Sequence, residues 1–168
     1  MPPTPPPPLD PRPRRISMIC TGNICRSPMA EIVLRQLLDE AGIVDVEVTS
    51  AGMGGWHVGE GADPRTVQVL HRHGYDGSAH IAAQFAPGYF DDHDLLLAAD
   101  RGHYRGLRAA ARTPAEADKV AMLRDFDPDA VAAGALEVDD PWYGGTADFE
   151  RCLAEVEAAC RGLVERLR

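Results

Sequence analysis

The chain has 168 residues, 45% hydrophobic and 26% charged, which suits one domain around one core. A net charge of −9 argues against nucleic acid as the main partner, and no apolar run approaches the length that crosses a membrane. The 4 cysteines (Cys20, Cys25, Cys152, Cys160) show no disulfide-framework spacing, and no apolar signal-peptide core is visible. A reducing, cytoplasmic setting is therefore expected, with export without a signal peptide left open.

Residues 1–15, rich in proline with three arginines, cannot form a helix or a sheet interior. They predict a disordered, basic tail of polyproline II character, and residues 16–168 a folded domain. Residues 16–20 read as a first strand. A loop follows, and then a helix over 28–41 with Met29, Ile32, Val33, Leu37 and Leu38 at helical spacing and Gly42 as its stop. Ser27 is the expected N-cap and Pro28 the first helical residue. Val46 and Val48 alternate as a second strand. Trp56-His57 follows Gly54-Gly55 as a surface aromatic in a glycine-rich loop, a candidate clamp on a cleft.

Asp63-Pro64 opens a second helix ending near Gly74, and a short helical turn is expected over 86–90. Leu95-Leu96-Leu97-Ala98-Ala99 is a continuous apolar run, hence a strand buried on both faces. A helix over 101–111 and a strand over 120–123 come next. The last helix, 147–167, carries Phe149, Cys152, Leu153, Val156, Cys160, Leu163, Val164 and Leu167 as its apolar stripe, which makes Cys152 and Cys160 core side chains. The alternation predicts an α/β fold, a three-layer sandwich with a four-stranded parallel sheet flanked by helices on both faces. The loop after the first strand then lies at the carboxyl ends of the strands, where ligands bind in such sheets.

That loop carries the chemistry. Cys20 and Arg26 are separated by Thr21, Gly22, Asn23, Ile24 and Cys25, and Ser27 follows. Five residues let the chain curl with its N–H groups facing one anion. Gly22 permits close approach, and Asn23 tolerates a left-handed backbone. Arg26 would close the ring with a planar fork matched to two phosphate oxygens. Amide dipoles, the helix N-terminus and the guanidinium would favour a thiolate at Cys20. A nucleophile beneath a phosphate site points to ester cleavage through a cysteinyl phosphate. The spacing alone is a weak signal that a buried strand cysteine and an ordinary turn would also give; the loop composition raises it. The second part is Asp139-Asp140-Pro141-Trp142-Tyr143-Gly144-Gly145. A carboxylic acid here could protonate a leaving phenolate and then activate water, worth about 10²–10⁴-fold. Pro141 biases the preceding residue towards extended backbone, and Trp142 and Tyr143 could wall an aromatic cleft. Asp140 is the candidate acid and Asp139 its competitor.

The run Cys20 to Glu31 closely resembles the signature of the low-molecular-weight protein tyrosine phosphatases of bacterial type. Ser50-Ala51-Gly52, His73-Gly74 and Asp140-Pro141-Trp142-Tyr143-Gly144 extend the match over most of residues 16–168. The resemblance implies the sheet order 2-1-3-4, with Cys20 as nucleophile, Arg26 binding phosphate and Asp140 as general acid and base. It implies that Asn23, Ser27, Ser50 and His80 form a supporting network, although His80 read alone is a partly exposed loop histidine. Asp100 also matches a family aspartate, although a helix N-cap suffices to explain it. The family usually carries Tyr where Trp142 stands. Cys25, separated from Cys20 by four residues, could trap an oxidised Cys20 as a disulfide. The implied substrates are phosphotyrosine-containing proteins and small aryl phosphates. No metal or cofactor is expected, and a monomer is the expectation although the sequence does not fix the oligomeric state.

Other readings share parts of the pattern. A protein-arginine phosphatase usually has Thr where Ile24 stands. A thiol-dependent arsenate reductase needs redox cysteines on a mobile segment, and outside the loop only Cys152 and Cys160 remain. A metal-binding or phosphopeptide-binding module lacks support, since Cys20 and Cys25 have no tetrahedral partner spacing.

Overall fold

The computed structural model describes residues 7–168. Strands β1 (Arg15–Cys20), β2 (Glu47–Gly52), β3 (Leu95–Ala98) and β4 (Val120–Met122) form one parallel sheet in the order β2-β1-β3-β4. The period of two decides which face each side chain serves. Ile16, Met18 and Cys20 of β1 join the core cluster that also takes in Leu97 of β3, while Ile19 joins a second cluster with Leu96, Ala98 and Phe90. Both faces are therefore covered, as the apolar runs of β1 and β3 predict.

Helices α1 (Arg26–Glu40) and α7 (Thr146–Leu167) bury their stripes in the first cluster. All eight predicted stripe residues of α7 are buried, Cys152 and Cys160 among them. Helices α2 (Pro64–Arg72), α3 (Tyr89–Asp92) and α4 (Arg101–Ala110) fall where the sequence puts helical segments. Three elements do not follow from hydrophobic periodicity: α5 (Pro114–Ala117), a 3₁₀ turn (Leu123–Phe126) and α6 (Pro128–Ala133). Their signal is capping instead. Thr113 and Asp127 each precede a proline and accept hydrogen bonds from backbone N–H groups of the first turn. Among the described residues no helix is long and apolar enough to cross a membrane.

Two expectations need correction. Residues 7–14 do not form a free arm. The N–H of Leu9 donates to Arg166 O (3.1 Å), Arg12 pairs with Asp45, and Asp94 accepts from the N–H groups of Arg14 and Arg15 at 3.0 Å each. The apolar side chain of Leu9 packs on the core, and these contacts tie the segment down. The predicted tail over residues 1–6 lies outside the described residues. Secondly, α1 begins at Arg26, not at Pro28, and Ser27 does not cap it; the N-cap is Cys25, with no side-chain hydrogen bond. The Ser27 hydroxyl is engaged elsewhere, as described below.

The last residue of β2 abuts the loop after β1. A Cβ on Gly52 would lie 2.8 Å from Thr21 O, 2.9 Å from Gly22 C and 3.0 Å from Asn23 N, all backbone atoms that cannot swing aside. Gly52→Ala should therefore cost about 1–3 kcal/mol in chemical denaturation and weaken inorganic-phosphate binding. Wild-type values for both would mean the loop has room that this geometry denies.

Candidate active site

Residues 20–26 curl at the carboxyl end of β1. Their carbonyls are taken up on the outside: Cys20 O by Met53 N–H (2.8 Å), Thr21 O by Gly54 N–H (2.9 Å) and Ile24 O by Asp63 N–H (2.9 Å). The ring of His80 donates through Nε2 to Asn23 O (2.7 Å), and Cys25 O accepts from Met29 N–H (3.2 Å). With the carbonyls engaged outwards, the loop amides are left for the inside, next to the first-turn N–H groups of α1. Asn23 has φ 60°, the left-handed conformation anticipated for it.

Asn23 also holds the loop together from below. Its Nδ2 donates to Ser27 Oγ (2.8 Å) and Ser50 Oγ (2.9 Å), and its Oδ1 accepts from Ala83 N–H (2.9 Å). Ser27 Oγ, already an acceptor, has its own hydrogen free for Cys20 Sγ, 2.9 Å away. Ser50 likewise passes its hydrogen to Glu31 Oε1 (2.6 Å). The four residues expected to form this network, Asn23, Ser27, Ser50 and His80, all touch it. Glu31 is an addition that the sequence reading did not identify.

Arg26 is buried and fixed on two sides. Nη1 donates to Asp100 Oδ2 (3.0 Å) and Val138 O (2.9 Å), and Nη2 to Thr21 Oγ1 (3.3 Å). Asp100 serves both as N-cap of α4, accepting from His103 N–H (3.0 Å), and as the guanidinium's anchor. Burial opposes its charge, yet the His103 amide and the Arg26 guanidinium outweigh burial and hold its carboxyl below the usual range. His103, missed in the sequence, lies 2.7 Å through Nε2 from Thr21 Oγ1. Asp140 Oδ2 stands 3.7 Å from Arg26 Nη2, whereas Asp139 turns outward to Arg151 (3.7 Å).

These groups line one cleft of about 240 Å³. Cys20, Thr21, Gly22, Ile24, Cys25 and Arg26 form its floor, and Trp56, His57, Asp140, Trp142 and Tyr143 its walls. Trp56 is 74% exposed and Tyr143 92%, while Trp142 faces His57 with ring centroids 6.1 Å apart. Of the remaining cysteines, Cys25 has its thiol pushed up to about 12 by burial. Among the described residues no group of three or more His, Cys, Asp or Glu side chains is arranged to hold a metal.

Comparison with known proteins places the chain in a family. A sequence model described as low molecular weight phosphotyrosine protein phosphatase matches residues 15–168. The chain is 55% identical over 155 residues to a low molecular weight protein-tyrosine-phosphatase of Streptomyces coelicolor, covering 92% of this chain and 93% of that one. It is 49% identical over 152 residues to low molecular weight protein-tyrosine phosphatase A of Mycobacterium tuberculosis, covering 90% of each. The crystal structure of a protein tyrosine phosphatase from Entamoeba histolytica superposes with a TM-score of 0.83 at 30% identity, over 89% of this chain and 94% of that one. Sequence and fold thus agree over nearly the whole length, and the chain belongs to the low molecular weight phosphotyrosine protein phosphatases.

Proposed function

We propose that this enzyme hydrolyses phosphotyrosine in proteins, and small aryl phosphates, in two steps through a phosphocysteine. The observation that carries the reading is that Cys20, Arg26 and Asp140, far apart in sequence, line a single cleft with aromatic walls. In the first step the Cys20 thiolate attacks phosphorus. The bond from phosphorus to the phenolic oxygen breaks, and Asp140 gives that oxygen its proton. The loop amides and the Arg26 fork hold the phosphoryl oxygens throughout. In the second step the Asp140 carboxylate takes a proton from water, whose oxygen attacks phosphorus. The bond from phosphorus to sulfur breaks, and the Ser27 hydroxyl is within 2.9 Å to stabilise the departing thiolate.

The walls favour an aryl ester. A phenyl ring holds its phosphate far enough from the backbone to reach the floor, and Trp56 and Trp142 offer faces for it. Phosphoserine has a shorter stem. Ile24 adds an apolar surface that crowds a phosphoramidate, which argues against phosphoarginine. Cys152 and Cys160, the thiols a reductase of arsenate would need on a mobile segment, are sealed in the α7 core.

Phosphate release from matched phosphotyrosine, phosphoserine and phosphoarginine peptides tests the substrate. Turnover of the phosphotyrosine peptide alone is expected, lost in a Cys20→Ser variant that still folds. Preference for phosphoarginine would overturn the reading. For the acid, Asp140→Ala should lower kcat/KM on phenyl phosphate by about 10²-fold or more and on p-nitrophenyl phosphate far less, because the better leaving group needs little protonation. Equal losses would remove Asp140 from that role.

The neutral state of His103 belongs to the same machinery. Burial pushes its imidazole down to about 4 despite the nearby Asp100 carboxylate. A neutral Nε2 can accept from the Thr21 hydroxyl, which leaves Thr21 Oγ1 free to accept from Arg26. As pH falls through 6.5 the unfolded chain takes up this proton and the folded chain does not, so stability declines from pH 6.5 to about 4. The melting temperature should fall across that window, and His103→Gln should flatten the fall. An unchanged slope would assign the acid sensitivity to other groups.

A further inference from the structure

Arg65 stands in the first turn of α2, and nothing in the phosphoryl chemistry above uses it. One edge of its guanidinium is gripped by Asp63: Nε lies 3.1 Å from Oδ1 and Nη2 3.0 Å from Oδ2. Asp63 is buried and also caps α2 by accepting from Arg65 N–H (2.8 Å). The other edge reaches across to the acid loop, where Nη1 donates to Trp142 O (3.1 Å) and Gly144 O (3.4 Å). The guanidinium plane lies over the rings of Trp142 (5.3 Å to the centroid) and Phe149 (4.6 Å).

Asp63 has a second attachment, since its N–H donates to Ile24 O (2.9 Å) in the anion loop. A continuous chain of contacts therefore runs from the floor of the cleft through Asp63 and Arg65 to the carbonyls of the acid loop. Among the described residues, Arg65 is the only side chain from outside 139–145 that donates to a carbonyl within that stretch. Asp140 depends on the same turn, because its Oδ1 accepts from Trp142 N–H (3.1 Å). Fixing the Trp142 main chain fixes the carboxylate.

We propose that Arg65 is the positioning residue of the acid loop: it couples Asp140 to the anion loop through α2 and so sets where the acid stands above Cys20. The inference rests on Asp140 being the general acid. The fork geometry suits arginine and not lysine, since one plane must satisfy a carboxylate on one edge and two carbonyls on the other while stacking on indole. Asp63 is buried although Arg65 is half-exposed, so removing the guanidinium also costs some stability, and a stability measurement does not isolate the positioning role. Its effect belongs in the kinetics, where a displacement of about 1 Å can cost up to 10²-fold.

The test measures kcat/KM for Arg65→Met and Arg65→Lys on phenyl phosphate and p-nitrophenyl phosphate, together with competitive inhibition by inorganic phosphate. Arg65→Met should lose about tenfold on phenyl phosphate and under about threefold on the nitrophenyl ester, with phosphate inhibition unchanged. In an Asp140→Asn background the same substitution should change phenyl phosphate turnover by less than about twofold, because its route of action is gone. Arg65→Lys, which keeps the charge and folds if the methionine variant does not, should show the same split at smaller size. Equal losses on both esters, an additive loss in the Asp140→Asn background, weakened phosphate inhibition or a fully active Arg65→Lys would each overturn the proposal. A wild-type protein inert towards both esters would instead sink the phosphatase reading, and the positioning role with it.

Discussion

A ring of backbone amides aimed at one point is unstable by itself, because the same curl brings partial positive charges together and leaves donors unpaired. The rest of the site follows from holding that ring open. Each carbonyl from Cys20 to Cys25 that is engaged finds its donor in a different neighbour: Met53 and Gly54 after β2, Asp63 before α2, His80 in the loop beyond it, and Met29 in α1. The loop is thus a shared product of four surrounding segments. Its own sequence supplies the left-handed turn at Asn23, and the fold supplies the acceptors' partners. The direction of each hydrogen bond is consistent with this. Asn23 donates to both serines, and each serine therefore has a hydrogen to pass on, one to the Cys20 sulfur and one to Glu31.

Arg26 links the ring to the rest of the sheet. Its anchor Asp100 follows β3, and Val138 O belongs to the segment that leads into the acid loop. A parallel sheet brings the ends of β1 and β3 side by side, and the backbone of Val138 is itself tied to Ala99 O (2.8 Å). The acid loop is thereby tethered at its start to Arg26, the phosphate-binding residue of the proposed mechanism. The chain has a net charge of −9, so the anion binding we propose would rest on oriented dipoles and one buried guanidinium, not on the overall field.

The sequence made the alternation of strands and helices legible, along with the buried face of α7 and the core assignment of Cys152 and Cys160, because apolar periodicity reports burial directly. The loop from Cys20 to Arg26 and the left-handed Asn23 were legible for a different reason: a tight turn with a special backbone leaves few choices of residue. Less legible were contacts that one side chain makes with distant backbone. Asp100 was explicable as a cap and is also the Arg26 anchor. Glu31, Arg65 and His103 look like ordinary helical surface residues until the tertiary structure supplies their partners. Ser27 shows the converse error, since a good local capping residue is drawn away by the thiol and α1 begins two residues earlier. The proline-rich start misled for a similar reason. Proline composition argues against helix and sheet interior, but an extended segment can still be tied down by carbonyls and carboxylates it happens to cross, as residues 7–14 are.

The two halves of the site differ in how they are held, and that difference bears on how the enzyme works. The anion loop rests on buried hydrogen bonds from Asn23 to Ser27 and Ser50 and from Arg26 to Asp100 and Val138 O, where a lost partner would strand a polar group away from water. The acid loop ends in exposed Trp142, Tyr143 and two glycines, and its contacts to α2 lie at the surface. A transition state that must be met by amides in one fixed geometry requires the first kind of construction. In the proposed mechanism Asp140 hands a proton to a departing phenol and then activates water, and the second kind serves that role: the carboxylate keeps its position through a few surface contacts while the aromatic wall beside it stays free to accommodate the ring. Substrate selection can then change on the aromatic rim without disturbing the ring of amides beneath it.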